Sequence, residues 1–412
     1  MAGAQEPDPV STKQQRIAAL TKQSPQLGFT SLNHHLDLIW LVEAYNRTRK
    51  DGAPGVDGQT DNDYGLTLLD NLESLLDRAK SGAYFAPPVR RVHIPKGTGK
   101  QTRPLGIPTL EDKILQRAVV MALEPIYEQD FLDCSYGFRP GRSAHAALYA
   151  LRQQVMDLRG CWLVEVDIRK FFETLDHAHL RNLLRQRVRD GVLLRLIDKW
   201  LKAGVLEDGN VSYPEAGAPQ GGVISPLLSN VYLHYVLDVL PKRFGKYGLT
   251  IHPDKTRLVP FGRPSRYPRR PDQETETQPG SFDFLGFTHY WSRSRKGNWV
   301  VKQKTAGSRF HRAVKRIGEW FRLNRHLPVR EQFQAFTQKL RGHYAYYGGV
   351  VGNVRCLHRF RYEAVRLWQK WLSRRKRRGQ FSWERLNRLL KAFPLPQLPQ
   401  SSWRVSPSAA SP

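Results

Sequence analysis

The sequence predicts an α+β fold built from two or three packed units. Two observations predict it. The 412 residues are 40% apolar, enough for real cores at roughly 100–200 residues per unit. Strand-like segments, such as Val89–Lys96 and Cys161–Ile168, also alternate along the chain with segments of helical period, such as Glu111–Gln129 and Phe310–Arg378.

Residues 1–30 are polar and read as a mobile segment. Ser31 is placed to cap a helix through Leu32, Leu36, Ile39, Trp40 and Val42, spaced i, i+3, i+4. Residues 52–58 (GAPGVDG) hold three glycines and a proline, which forbids regular structure. A second helix is expected over Asp63–Lys80. Val89–Lys96 alternates like a strand, and Gly97–Lys100 turns it into a partner ending near Pro108. Cys161–Ile168 reads as a buried strand that ends at an acid. Asp176 then caps a helix over His177–Arg189, and Gly217–Gly222 is a glycine-rich loop. Ser225 opens a helix through Leu228, Val231 and Tyr235. Residues 262–280 form a Pro/Arg/Gln-rich linker. Strands return at 281–287 and 299–302, and residues 392–412 read as a disordered tail.

Composition narrows the function. The longest apolar runs, Leu38–Val42 and Ala118–Leu123, are far short of the about 20 residues a membrane helix needs. Cys134, Cys161 and Cys356 are few and widely spaced. They form no disulfide framework and no paired metal motif, so a reducing, cytoplasmic compartment is expected. The net charge is +28, which makes nucleic acid the leading partner. Most of the excess lies between Trp291 and Lys391, with 27 Lys/Arg against four Asp/Glu. Aromatics such as Trp320, Phe336, Tyr344 and Trp368 are interleaved with these cations. Cations neutralise phosphates, and exposed rings stack on unpaired bases.

The sharpest chemical signal is Asp167, at the exit of an apolar strand and followed by Arg169-Lys170-Phe171-Phe172. A carboxylate there is costly unless it meets something positive. Nucleotidyl transfer uses two cations about 3.5–4 Å apart, held by carboxylates. Phe172 is placed to wall a sugar. Lys96 and Arg103 flank a hairpin and could clamp a triphosphate. Gln220 and Gly221 offer an amide and a close backbone approach to a nucleotide, and Lys255 offers another cation.

The order of these motifs resembles the group II intron reverse transcriptase/maturase family. The matching stretches are GAPGVDG (52–58), IPKGTGKQTRPLGIP (94–108), YGFRPGRSAHAAL (136–148), VEVDIRKFFETLDH (164–177), GAPQGGVISPLLSNVYLH (217–234), GLTIHPDKTRLV (248–259) and FDFLGF (282–287). RGHYAYYGGV (341–350) matches the maturase-specific region. The resemblance covers about 32–391. It implies a right-hand polymerase with fingers at 31–160, palm at 161–290 and a basic helical thumb/maturase region at 300–391. It also implies RNA-directed DNA synthesis and binding of the parent intron RNA to assist splicing. Its cofactor would be Mg²⁺, two ions in the family. Its other partners would be an RNA template, a DNA primer and deoxynucleoside triphosphates. Carried over by motif, Asp167 is the metal ligand and Phe172 the sugar gate. Lys96, Arg103, Gln220, Gly221 and Lys255 surround the nucleotide. Arg341, Tyr344, Tyr346, Tyr347 and the run Arg374, Arg375, Lys376, Arg377, Arg378 face RNA. His93, His145 and His343, lacking paired ligand spacing, read as structural or RNA-facing.

The sequence departs from that family in the palm. The family carries a strand–turn–strand bearing Tyr/Phe-Ala-Asp-Asp, whose aspartates complete the metal site. This chain contains no Asp-Asp pair, and only seventeen residues, Val231–Tyr247, separate Asn230 from Gly248. Two family helices look fused near Asp238–Pro241, which truncates the palm sheet and exposes apolar faces. Glu165 is no substitute, since it sits about 6.5 Å further along the strand than Asp167. Asp238, Asp254 and Asp283 are the remaining candidates. No Cys/His-rich nuclease module is expected. The expectation is therefore a family member whose polymerase step is lost or impaired. The alternatives are a non-enzymatic splicing factor or a decayed product.

Overall fold

A computed structural model of the chain describes residues 9–95, 102–213, 216–217, 221–237, 256–264, 280–375 and 381–399. The main helices are α1 (Pro9–Gln23), α2 (Leu38–Asn46), α3 (Leu68–Ser81), α4 (Leu110–Asp130), α5 (Ala144–Asp157) and α6 (His177–Arg187). They continue with α7 (Gly191–Leu201), α8 (Ser225–Leu237), α9 (Gly307–Leu323), α10 (Val329–Tyr347), α11 (Val354–Ser373) and α12 (Trp383–Ala392). The strands are β1 (Val89–Pro95), β2 (Thr102–Ile107), β3 (Gly160–Glu165), β4 (Val205–Glu207) and β5 (Asn210–Ser212). They end with β6 (Arg257–Gly262), β7 (Phe282–Phe284), β8 (Phe287–Arg293) and β9 (Trp299–Thr305). Two compact units result. One joins 1–140 to 166–256, and the other joins 141–165 to 257–412.

The first unit is organised on α4. Thr109 caps it by accepting from the Asp112 N–H, and Ile114, Leu115, Val119, Leu123 and Ile126 are fully buried along it. Both α1 and α2 pack against α4. The expectation that residues 1–30 are mobile is therefore corrected for residues 9–30. Val10, Ile17 and Thr21 are buried, and the Gln14 amide donates to Met121 O at 2.8 Å. The segment is so polar that its sparse apolar stripe does not register as a helix. Its exit is held by Arg187, a buried guanidinium that binds Asp130 and donates to Pro25 O and Leu27 O.

Two helix starts also differ from expectation. Asp37, not Ser31, caps α2 by accepting from Trp40 N at 2.8 Å. The helix expected from Asp63 is broken, with a short turn at Asp61–Gly65 before α3 begins at Leu68. The sheet of this unit runs β2-β1-β4-β5. β1 and β2 form the antiparallel hairpin the alternation predicts, with Ile94 opposite Arg103.

The second unit contains two sheets and a helical layer. β8 sits between β7 and β9, and β3 pairs antiparallel with β6. Leu163, Val259 and Phe261 face a small core with Val155, Phe282, Trp291 and Val301. The opposite face is bare. Trp162 is 66% exposed, Val164 64% and Leu258 58%, with Val164 and Leu258 directly across the ladder. The reading of Cys161–Ile168 as a buried strand is thus corrected: β3 ends at Glu165 and is buried on one face only. Apolar residues on both faces of β3 imply two covering layers, and among the described residues only one is covered.

The helices α9–α11 close around Phe321, Phe336, Leu340, Trp368 and Leu372. Each fully buried aromatic of this kind contributes on the order of 2–3 kcal/mol. The Trp368 indole donates to Gln332 Oε1 at 3.0 Å, so even this ring leaves no buried donor unpaired. Asn353 joins the layers: its amide oxygen accepts from Thr305 N at 2.7 Å and its NH₂ donates to Tyr347 O at 2.7 Å. The tail expected to be disordered from 392 is corrected over 393–399. Leu395 is buried, and Arg361 donates to Pro396 O at 2.7 Å.

Candidate active site and nucleic-acid surface

The motif segments of the first unit converge through close backbone approaches. Gly217 has φ +97°, and a Cβ there would lie 2.6 Å from Phe172 O. Its N–H donates to Leu175 O at 2.8 Å, and its carbonyl lies 2.6 Å from His177 Nε2. The glycine-rich loop is thereby clasped to the turn that carries Phe172. Gly221 has φ +118°, and a Cβ there would lie 2.2 Å from Gly106 O. That contact seats the loop on β2, three residues beyond Arg103. Only glycine permits both the left-handed backbone and this distance. Gln116 of α4 adds a third tie by accepting from Ile224 N at 3.3 Å.

Within this frame Asp167 is half-buried, two residues past the end of β3. Lys170 takes the left-handed conformation at φ +48° and turns the chain into the short helix Phe171–Thr174. The Phe172 ring meets Phe171 edge-on at 5.4 Å, and Phe171 packs on Tyr232 at 6.1 Å. Arg103 is exposed on β2. The structure therefore brings the Arg103 strand, the Asp167–Phe172 turn and Gly221 into one compact unit. Lys96, Gln220 and Lys255 lie outside the described residues, as do Asp238, Asp254 and the junction at 238–241.

Glu165 and Asp283 are engaged elsewhere. Glu165 accepts from Arg257 Nε at 2.7 Å, directly across the β3–β6 ladder. Asp283, in the second unit, accepts from the Thr288 hydroxyl. Among the described residues, no group of three His, Cys, Asp or Glu side chains could hold a metal ion. The donor set among the described residues does not fit a pair of divalent cations, which needs several converging carboxylates.

Sequence reasoning missed Gln116 and Asp112, and it read Gly217 only as the start of a glycine-rich loop. Asp112 is buried in α4, bonded to the Tyr84 hydroxyl and to Trp200 Nε1 at 3.3 Å. Burial pushes its carboxyl up to about 7. A Thr-x-x-Asp capping pattern was visible at Thr109, but its burial depends on partners 28 and 88 residues away.

The basic surface belongs to the second unit. Arg341 is exposed on α10. Tyr344 is corrected from an RNA contact to a core residue, because its ring is only 6% exposed within the α9–α11 core. Tyr347 is half-buried between Phe287 and His343, at 5.3 and 4.6 Å. Tyr346 keeps partial exposure while its hydroxyl donates to Leu285 O at 2.8 Å. His145 lies 2.7 Å from Tyr346 O. The RGHYAYYGGV stretch thus ties α10 to the β7–β8 turn more than it offers rings to a ligand. Arg374 lies over Trp371, 5.0 Å from its centroid, and Arg375 donates to Arg325 O and Leu327 O. Lys376, Arg377 and Arg378 lie outside the described residues.

The class that this frame defines is set by comparison with known proteins. A family model described as reverse transcriptase (RNA-dependent DNA polymerase) matches residues 94–245. Its right-hand polymerase fold agrees with the mixed α+β architecture. Protein YkfC of Escherichia coli (strain K12) is 42% identical over 245 residues, 57% of this chain and 63% of its own length. Group II intron-encoded protein LtrA of Lactococcus lactis subsp. cremoris is 38% identical over 223 residues, 53% of this chain and 37% of LtrA. A chain of the solved partial Cas6-RT-Cas1–Cas2 complex aligns over 51% of this chain and 35% of its own, at 24% identity and a TM-score of 0.35. These matches support a group II intron reverse transcriptase/maturase family for the chain. The chain spans less than two thirds of the length of YkfC and of LtrA. Reverse transcriptases use divalent metal ions.

Proposed function

We propose that this protein is a group II intron reverse transcriptase/maturase in which intron RNA binding and splicing assistance persist while templated DNA synthesis is lost or severely reduced. The observation that carries the reading is that the sequence contains no Asp-Asp pair, the motif that in the family supplies two metal-binding carboxylates. The two Mg²⁺ ions of the family, the deoxynucleoside triphosphates and the DNA primer are accordingly not working partners of this copy. The 27 Lys/Arg against four Asp/Glu in 291–391 support the RNA-binding half, which needs no metal. The intron ribonucleoprotein, in the cytoplasm, is its proposed setting.

The test is primer extension with Mg²⁺ on a polyribonucleotide template, with Asp167→Ala as the control. The expected result is no templated product from either protein. Tight, salt-sensitive intron RNA binding and splicing assistance should both survive in Asp167→Ala. Templated product that vanishes in the variant would overturn the first half. Splicing that collapses in the variant while RNA binding holds would overturn the second. The bare β3–β6 face favours one further reading, a decayed product with a broken fold. A cooperative thermal transition in the purified protein would exclude it.

A further inference from the structure

The groove between α9 and α10 holds a cavity of about 380 Å³ in which flat rings and cations converge. α9 lines it with Ala313, Ile317 and Trp320, at i, i+4 and i+7, and with exposed Arg316 at the rim. α10 contributes Lys339 and His343, one turn apart, and buried Phe360 of α11 forms the floor. The His343 ring lies on Phe360, with centroids 3.6 Å apart and planes 17° apart. Lys339 Nζ sits 4.9 Å from the Trp320 ring centroid.

Two aromatic surfaces, Trp320 and the stacked His343–Phe360 pair, therefore border a space in the size range of small-ligand sites. Burial pushes His343 down to about 4, so at neutral pH its imidazole is uncharged and carries one donor and one acceptor. Arg316 and Lys339 supply positive charge at the mouth. A planar, polar ring attached to a phosphate matches each of these features. An apolar side chain would use the rings and waste the cations, and a bare phosphate would use the cations and waste the rings.

We propose that this cavity takes one unpaired nucleobase of the bound RNA, stacked against Trp320 and the His343–Phe360 pair, with its phosphate held by Arg316 and Lys339. The inference rests on the RNA-binding reading given above and narrows it to a base-recognising pocket.

The test uses the full chain and two short single-stranded probes of equal length. One is an oligoribonucleotide carrying 2-aminopurine, and the other is its fully abasic backbone. The base-bearing strand should bind about tenfold more tightly, with quenched 2-aminopurine emission. Ala313→Trp fills the cavity and keeps both cations, so it should abolish the tenfold ratio and the quench while leaving the abasic affinity in place. Trp320→Leu, at a half-exposed position, should do the same by removing a stacking face. Lys339→Gln should weaken both strands equally. A ratio and quench that persist in Ala313→Trp and Trp320→Leu, each with an unchanged thermal transition, would overturn the pocket. Equal binding of both strands by the unmodified chain would overturn it too, leaving RNA binding intact. If the unmodified chain binds neither strand, the RNA-binding reading itself fails.

Discussion

The two units hold their family features in different ways. In the first, motifs from distant segments meet through contacts a few atoms wide, as at Gly217 against Phe172 O and Gly221 against Gly106 O. In the second, many cations and rings are distributed over four helices with a shared core. Chemistry that needs three carboxylates at one point fails when a single segment is missing. Binding spread over a helical surface loses little from the same event. On the proposed function, the contrast is how one chain would keep a polymerase frame without polymerase chemistry and still present an RNA surface.

The largest effect is expected at the tightest contact of the first unit. Gly221→Ala places a Cβ 2.2 Å from Gly106 O at φ +118°. It should destabilise that unit by at least about 3 kcal/mol and leave the second untouched, read as a fall in one of two calorimetric transitions. A single shared shift would break the comparison.

Acid should separate the units next. Burial pushes His289, whose ordinary value is 6.5, down to about 4. Between those pH values the unfolded chain takes up a proton that the folded second unit refuses. That unit therefore loses stability as pH falls, by on the order of 3 kcal/mol. Asp112 has the opposite sign. With its carboxyl raised from 3.8 to about 7, the folded first unit keeps a proton that the unfolded chain releases. Acidification through that window favours the first unit. Thermal scans from pH 7 to 4.5 should show the two transitions moving in opposite directions. His289→Phe should roughly halve the acid loss in the second, because His343, also pushed down to about 4 by burial, contributes with the same sign.

Smaller changes sharpen the comparison. Gln116→Ala removes the bond to Ile224 N and should cost about 1 kcal/mol. Trp162→Lys, on the bare face of β3, should change stability by less than about 0.5 kcal/mol and lower the light scattering of concentrated protein. If Trp162→Lys unfolds the chain, that face is covered in solution.

Local pattern made much of this legible in the sequence. The β1–β2 hairpin, the helix at 110–130 and the cap at Asp176 fall where periodicity and capping chemistry place them. Burial was harder to read. CWLVEVDI is apolar enough to be covered on both faces, and nothing within it tells that one cover is missing. Tyr344, Tyr346 and Tyr347 differ in exposure although they are neighbours in one motif, because helical phase against Phe287 and Phe360 decides which ring turns inward. The absence of an Asp-Asp pair is read directly from the sequence. The clasp at Gly217 and Gly221 was not legible there, since a glycine's neighbours across space leave no mark beside it.

Arg187 sets a practical boundary for anyone shortening this chain. Its guanidinium draws on Asp130, Pro25 and Leu27 at once. A truncated version starting at residue 31, where composition invites the cut, would strip two of those acceptors from a buried cation and peel α1 away from α4. Expression variants that begin no later than Pro9 would keep the first unit whole.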